Sequence, residues 1–65
     1  MRIYLNRKEE DIPENCTVQE MLEYKNLKER VSIWINGEQI LLRDYSTRKI
    51  QPNDQIKLIR ILGGG

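Results

Sequence analysis

The chain contains one cysteine, Cys16, and no histidine among its 65 residues, and this restricts how it can be stabilised. A single cysteine cannot form an intramolecular disulfide, and a zinc site built from cysteine and histidine ligands is also excluded. A domain of this size buries only about 60% of the surface of its unfolded chain, so its core is small. The sequence therefore predicts one small domain with a regular, closely packed architecture.

Charged residues of both signs are mixed along the chain. Eleven basic and ten acidic residues give a net charge of +1. Proteins that bind nucleic acids usually carry a basic excess on one face, so no nucleic acid is expected as a partner. Every apolar run is shorter than the roughly 20 residues that span a bilayer, and no signal-peptide pattern opens the chain. Together with the single thiol, these features predict a cytoplasmic protein that binds no membrane.

The first half of the chain contains the patterns of two strands and a helix. Residues 1–5 alternate between the two sides of a strand, which predicts that it is half-buried. Residues 6–11 are predicted to form a polar turn, and Ile12 to belong to a second strand paired with the first. Thr17 and Glu20 form the capping box of a helix, whose apolar residues recur at helical spacing until it ends near residues 26–28.

The second half predicts three further strands. Residues 31–35 alternate between apolar and other side chains, and the Asn36-Gly37 pair that follows is a strong hairpin-turn signal. A short return strand is expected within residues 39–42, before an irregular polar stretch. Pro52 is suited to the first corner of a turn, and the last strand is predicted from Gln55 to about Leu62.

The predicted order is strand, strand, helix, strand, short strand, strand, which indicates an α+β fold. A helix with one apolar face must cover one face of the sheet. The first and last strands are expected side by side at the centre of a mixed sheet of four to five strands. Residues 1–62 are then the folded domain, and residues 63–65 are a flexible tail.

The chain ends in three consecutive glycines, Gly63, Gly64 and Gly65. A disordered tail or a cloning remnant can end in this way, but these glycines follow an apolar strand with no polar spacer. Because glycine has no Cβ, an extended glycine run can enter a channel that any side chain would block. Three residues reach about 10 Å. The pattern predicts that the α-carboxylate of Gly65 is delivered into a site on another protein.

Several short motifs resemble those of one protein family. They are the opening residues 1–6, Thr17-Val18 leading a helix with Leu22, Ile35-Asn36-Gly37-Glu38, Arg43, and Asp54-Gln55-Ile56 before an apolar strand and terminal glycines. In this order and spacing, the chain resembles the ThiS family of sulfur carriers in thiamine biosynthesis, part of the MoaD/ThiS superfamily. The resemblance implies a ubiquitin-like β-grasp fold.

Three positions depart from the family pattern. The first turn is Asn6-Arg7, where the family usually has Asn-Gly, and Asn53 stands where glycine is frequent. Gly63 replaces another small residue found in many members. These differences concern turns and the tail, and they bear on the pathway more than on the carrier role.

The resemblance implies a protein co-substrate without catalytic residues, metal or bound cofactor of its own. An adenylyltransferase related to ubiquitin-activating enzymes would adenylate the carboxylate of Gly65 with ATP and Mg²⁺. Sulfur from a donor such as a cysteine desulfurase would give a thiocarboxylate, and a thiazole synthase would accept that sulfur. The sequence leaves open a carrier for molybdopterin or another sulfur pathway, a ubiquitin-like protein modifier, and a plain β-grasp interaction module with an accidental tail.

A second feature is a set of large side chains expected on the outer face of the sheet. If Ile3, Ile33 and Ile56 face the helix, the alternation places Tyr4 and Trp34 on the other side. Exposed aromatic and aliphatic groups are typical of interface centres, although single apolar residues are common on surfaces. The predicted partner interface consists of Tyr4, Trp34, Lys57, Ile59, Arg60, Ile61 and Leu62.

Two other features are interpreted as structural. Cys16 precedes the helix cap, where an apolar residue commonly packs against the first turn, and no cationic neighbour is evident that would lower its pKa. The acidic residues 9–11 are interpreted as a solvated turn rather than a paired-carboxylate site, and the charged residues 28–30 are interpreted in the same way.

Overall fold

A five-stranded sheet carries one helix on one of its faces. The computed structural model describes residues 1–27 and 30–60. The elements are β1 (Arg2–Leu5), β2 (Lys8–Asp11), α1 (Val18–Tyr24), β3 (Val31–Ile35), β4 (Glu38–Ile40), a 3₁₀ turn (Leu42–Asp44) and β5 (Gln55–Arg60). The prediction of an α+β fold is confirmed. None of the helices in these residues is long and apolar enough to cross a membrane.

The strand order is β2-β1-β5-β3-β4, so the first and last strands lie at the centre, as predicted. β1 and β5 are parallel, with Tyr4 opposite Gln55 and Leu5 opposite Ile56. The other three pairings, β1 with β2, β3 with β4 and β3 with β5, are antiparallel. The central position of β5 means that the strand preceding the C-terminal residues is held on both sides.

The core lies between α1 and the face of the sheet that it covers. The buried sheet residues Ile3, Ile33, Ile35 and Ile56 occupy alternate positions of their strands, which is the pattern that the sequence predicted. The helix contributes Val18, Met21 and Leu22 to the same cluster. Burying one such side chain stabilises the fold by about 1.5–3 kcal/mol, so the core depends on a few residues.

The predicted capping box of α1 is confirmed. The amide of Glu20 donates to Thr17 Oγ1 at 3.1 Å, and the amide of Thr17 donates to Glu20 Oε1 at 2.9 Å. The backbone hydrogen bond from Thr17 holds the pKa of the Glu20 carboxyl below its ordinary value, because it favours the ionised form.

The helix ends slightly earlier than predicted. Its last residue is Tyr24, and Asn26 has a left-handed φ of 58°. The amide of Asn26 donates to Glu23 O at 3.0 Å, and that of Leu27 donates to Leu22 O at 2.8 Å. These two bonds form a Schellman motif, in which a residue with positive φ ends the helix.

The prediction of a polar turn over residues 6–11 is wrong for most of its length. Only Asn6 and Arg7 form the turn, and residues 8–11 are β2. β2 is an edge strand, so it needs backbone pairing with β1 but few apolar side chains. Glu10, the one partly buried residue of β2, forms an ion pair with Lys25, whose hydrogen bond lowers the pKa of that carboxyl. Ile12 follows β2, is buried, and donates its amide to Met1 O at 2.9 Å.

Two predictions for the second half of the chain also change, and two others hold. The return strand β4 covers Glu38–Ile40, and a 3₁₀ turn occupies part of the stretch that was expected to be irregular. The turn at Pro52 is present, with Asn53 at a φ of 69°. β5 begins at Gln55 as predicted, and its last described residue is Arg60. Residues 28, 29, 61 and 62 lie outside the described residues.

Both hairpin turns use consecutive residues with positive φ. Asn36 and Gly37 have φ values of 52° and 86°, and Asn6 and Arg7 have values of 50° and 69°. This is the signature of a type I′ turn, which suits the right-handed twist of the strands. Glycine and asparagine tolerate this conformation, whereas a residue such as arginine pays about 1–2 kcal/mol for it.

We expect Glu20→Ala to destabilise the fold at pH 7, and the difference from the wild type to shrink on acidification. The folded-state pKa of Glu20 is lowered, so its contribution is present above the ordinary value of 4.5 and is lost as the pH falls through the folded-state pKa. Urea unfolding of both proteins between pH 7 and pH 2 measures this. A difference that is independent of pH would contradict the role of the ionised carboxylate.

We expect Arg7→Gly to stabilise the fold by about 0.5–1 kcal/mol, because relief of the left-handed strain exceeds the added entropy of the unfolded chain. Lys8→Gly is the matched control: it removes the same charge one residue later, within β2, and should destabilise the fold by about 0.5–1 kcal/mol. Urea unfolding at pH 7 checks both variants. Destabilisation by Arg7→Gly would show that the turn is not strained.

Candidate functional site

The face of the sheet opposite α1 carries the side chains that the sequence assigned to a partner interface. Trp34 on β3 lies opposite Lys57 on β5, and Ile59 lies opposite Ser32. Tyr4 lies on β1 beside Gln55. Tyr4 and Trp34 are half-buried, Lys57 is exposed, and Ile59 is 43% exposed. The structure therefore brings an aromatic, an aliphatic and a cationic group together on two neighbouring strands.

A shallow groove crosses this face between β3 and the β1–β2 turn. Trp34 and Gly37 lie on one side of it, and Asn6 and Arg7 lie on the other. The β5 residues from Gln55 to Ile59 line the space between them. Tyr4 and Arg60, the other described residues of the predicted interface, are not part of the lining.

Asn6 fastens the β1–β2 turn to β5. Its backbone N–H donates to Ile56 O at 2.9 Å. In its side chain, Nδ2 donates to Leu58 O at 3.2 Å, and Oδ1 accepts from the backbone N–H of Leu58 at 2.9 Å. The side-chain amide thus takes the place of one further peptide unit in the β1–β5 ladder. The turn is held against the strand that leads to the C-terminus.

Asn36 makes a similar connection at the start of β5. Its amide donates to Gln55 O at 2.8 Å, and its Oδ1 accepts from the amide of Gln55 at 2.9 Å. Its Nδ2 donates to Asp54 Oδ1 at 3.1 Å, and the other carboxylate oxygen of Asp54 accepts from the amide of Gln51 at 2.8 Å. Asp54 is only 8% exposed, so these hydrogen bonds compensate a buried polar group.

The sequence interpretation identified neither asparagine as a connector. Asn6 was assigned to a polar turn and Asn36 to a hairpin signal. One feature of the sequence could have identified them as connectors. Each asparagine stands at the end of an alternating strand and at the first position of a turn with positive φ. At that position the short amide can reach the backbone of a neighbouring strand.

The C-terminal residues begin where β5 ends. Arg60 is exposed and lies opposite Val31, the first residue of β3. The remaining predicted residues, Ile61, Leu62, Gly63, Gly64 and Gly65, lie outside the described residues. They follow Arg60 directly in the chain.

The other groups considered for chemistry are held in structural roles. Cys16 is 3% exposed and belongs to the core, as predicted, and burial raises the pKa of its thiol, which disfavours the reactive thiolate. Glu9 and Asp11 are exposed, whereas Glu10 is paired with Lys25. Among residues 1–27 and 30–60, no group of three or more cysteine or carboxylate side chains could hold a metal ion.

Comparison with known proteins agrees with this architecture. The ThiS family model matches residues 1–65. A crystal structure of the thiamine biosynthesis protein (ThiS) from Geobacter metallireducens is similar, with a TM-score of 0.86 and 22% sequence identity over 100% of both chains. No curated protein sequence matches the chain significantly. The structural likeness shows a ubiquitin-like β-grasp fold, and the family match extends from the first strand through the terminal glycines. The chain belongs to the ThiS family.

Proposed function

We propose that the chain is a sulfur carrier of thiamine biosynthesis whose reactive group is the carboxylate of Gly65. The observation that carries the proposal is the family match, which includes the three terminal glycines as well as the folded domain. ThiS proteins are small carriers rather than enzymes. In this role the chain is a co-substrate, residues 1–62 are the part that partners recognise, and residues 63–65 are the part that enters their active sites.

The carboxylate needs a partner enzyme before it can accept sulfur. A free α-carboxyl has a pKa of about 3.3–3.7, so at neutral pH it is ionised and is a poor electrophile. Attack of a carboxylate oxygen on the α-phosphorus of ATP, with departure of pyrophosphate, gives an acyl-adenylate that a sulfur donor can attack. Mg²⁺ and cationic groups of an adenylyltransferase related to ubiquitin-activating enzymes would stabilise the developing phosphate charge.

Glycines suit the segment that must reach the nucleotide. Residues 63–65 lack side chains, so they can pass through a channel of backbone width. β5, from which the segment continues, is paired with β1 on one side and with β3 on the other. The partner would bind the folded domain beside this firmly held strand. The segment without side chains would then carry the carboxylate from the end of the strand into the active site.

The outer face of the sheet supplies the surface to which the partner would bind. Trp34 and Ile59 expose apolar area on a face that α1 does not cover, and large aromatic groups commonly anchor protein interfaces. The same surface would serve the adenylyltransferase, a sulfur donor such as a cysteine desulfurase, and the thiazole synthase in turn. One small domain would then carry one carboxylate between successive enzymes.

We expect the chain, incubated with the adenylyltransferase of its own host, ATP, Mg²⁺ and a cysteine desulfurase with cysteine, to gain the mass of one oxygen-to-sulfur replacement. The persulfide of the desulfurase displaces AMP from the terminal acyl-adenylate, and the thiol of the excess cysteine reduces the resulting acyl disulfide to the thiocarboxylate, with formation of a disulfide. Intact-protein mass spectrometry measures the gain, and fragmentation places it on Gly65 and verifies the mature C-terminus.

The matched control is a chain that lacks Gly64 and Gly65, which should remain folded and gain no mass. A mass gain in this shortened chain would exclude Gly65 as the acceptor. Lysine-linked adducts without sulfur would indicate a protein modifier. No gain with any combination of partners would favour a plain interaction module.

We expect Trp34→Ala to weaken binding to the adenylyltransferase by at least about tenfold while the domain stays folded, since anchor residues contribute about 2 kcal/mol or more. Isothermal titration calorimetry measures the affinity, and thermal melting checks the fold. Leu42→Ala is the control, because Leu42 is 78% exposed and lies in the 3₁₀ turn outside this face. Wild-type affinity in a folded Trp34→Ala variant would contradict the assignment of the face.

A further inference from the structure

Arg7 occupies a backbone conformation that does not suit it. Its φ of 69° lies in the left-handed region, at the second position of the β1–β2 turn. Glycine adopts this conformation without strain, whereas for arginine it costs about 1–2 kcal/mol of conformational free energy. Strain that the surrounding structure holds in place is a reason to look for a function of the side chain.

The side chain of Arg7 shares the groove on the outer face with Lys57. Trp34 and Ile59 line the same groove, and none of its described lining residues is acidic. Within residues 1–27 and 30–60, neither Arg7 nor Lys57 forms an ion pair. The groove therefore combines two cations with an aromatic and an aliphatic surface.

Hydrogen bonds hold together the two backbone segments from which these cationic side chains extend. Asn6, the neighbour of Arg7, bonds to both the carbonyl and the amide of Leu58, the neighbour of Lys57. Leu58 is two residues before Arg60, a distance of about 7 Å along a strand. A protein that receives the residues after Arg60 must therefore approach close to this groove.

We propose that the groove binds an acidic segment of the activating enzyme, with carboxylates against Arg7 and Lys57 and an apolar side chain against Trp34 and Ile59. This inference rests on the proposed function, and it adds the chemistry of the partner surface. Arginine presents a planar fork of donors that matches a carboxylate. The apolar part of the groove needs an apolar group beside the charge, which a protein segment supplies and a free phosphate does not.

The test is the association rate with the host adenylyltransferase, measured by stopped flow without nucleotide at several salt concentrations. We expect Arg7→Gly with Lys57→Gln to associate about tenfold more slowly than the wild type at about 0.01 M salt, where charge steering is strong. At about 1 M salt, where the Debye length is near 3 Å, the rates should converge. Arg7→Gly alone should be slower in binding and yet more stable to urea.

Arg7→Lys with Lys57→Arg is the conservative variant, and it should keep most of the association rate because it keeps both charges. Arg43→Gln is the charge control for the single variant Arg7→Gly, because each removes one positive charge. Arg43 is exposed and lies in the 3₁₀ turn outside the groove. This variant should associate as the wild type does. An equal effect of Arg43→Gln would overturn the proposal, because the groove would then have no special part in binding.

Three further outcomes overturn the proposal. They are unchanged low-salt association of the double variant, an effect that appears only when ATP is present, and self-association of the wild type that the double variant loses. Unchanged association would show that the groove does not contribute to binding. An effect that needs ATP would show that the nucleotide occupies the groove, and lost self-association would show that a second copy of the chain occupies it. Mass spectrometry of the wild type tests the proposed function separately. If the wild type gains sulfur but the groove variants associate at the normal rate, this inference is wrong and the proposed function stands.

Discussion

The parallel pairing of β1 with β5 is the interaction on which the rest of the structure depends. It joins the two ends of the chain through Tyr4 and Leu5 opposite Gln55 and Ile56. Every other strand is attached to this pair, with β2 on one side and the β3–β4 hairpin on the other. Without it, the sheet would separate into a three-stranded part and a two-stranded hairpin, and an isolated two-stranded hairpin is marginal in water.

The pairing is short, and the asparagine side chains lengthen it. Asn6 adds two hydrogen bonds to Leu58 beyond the end of β1, and Asn36 adds one to Gln55 from the other neighbouring strand. Each amide stands at a turn with positive φ, a conformation that asparagine tolerates. The turns therefore do more than reverse the chain: they hold β5 in register from its first residue to Leu58.

Local patterns made most of the fold predictable from the sequence. The alternation in β1 and β3 and the capping box of α1 lie within a few residues, so their structural consequence can be inferred without knowing the fold. β2 could not be inferred in this way, because it is an edge strand made of charged residues. Its stability comes from pairing with β1 and from the ion pair of Glu10 with Lys25, which lies 15 residues further along the chain.

The outer face was predictable for the same reason, but the groove was not. Alternation alone assigns Trp34 and Lys57 to one face, whereas the contact of Asn6 with Leu58 spans 52 residues of sequence. That contact brings Arg7 to Trp34 and Ile59, and it also explains how Arg7 can be strained: the paired strands and the Asn6 hydrogen bonds determine the turn regardless of its second residue. Glycine there would relax the backbone but would leave no charge beside the strand that leads to the C-terminal glycines.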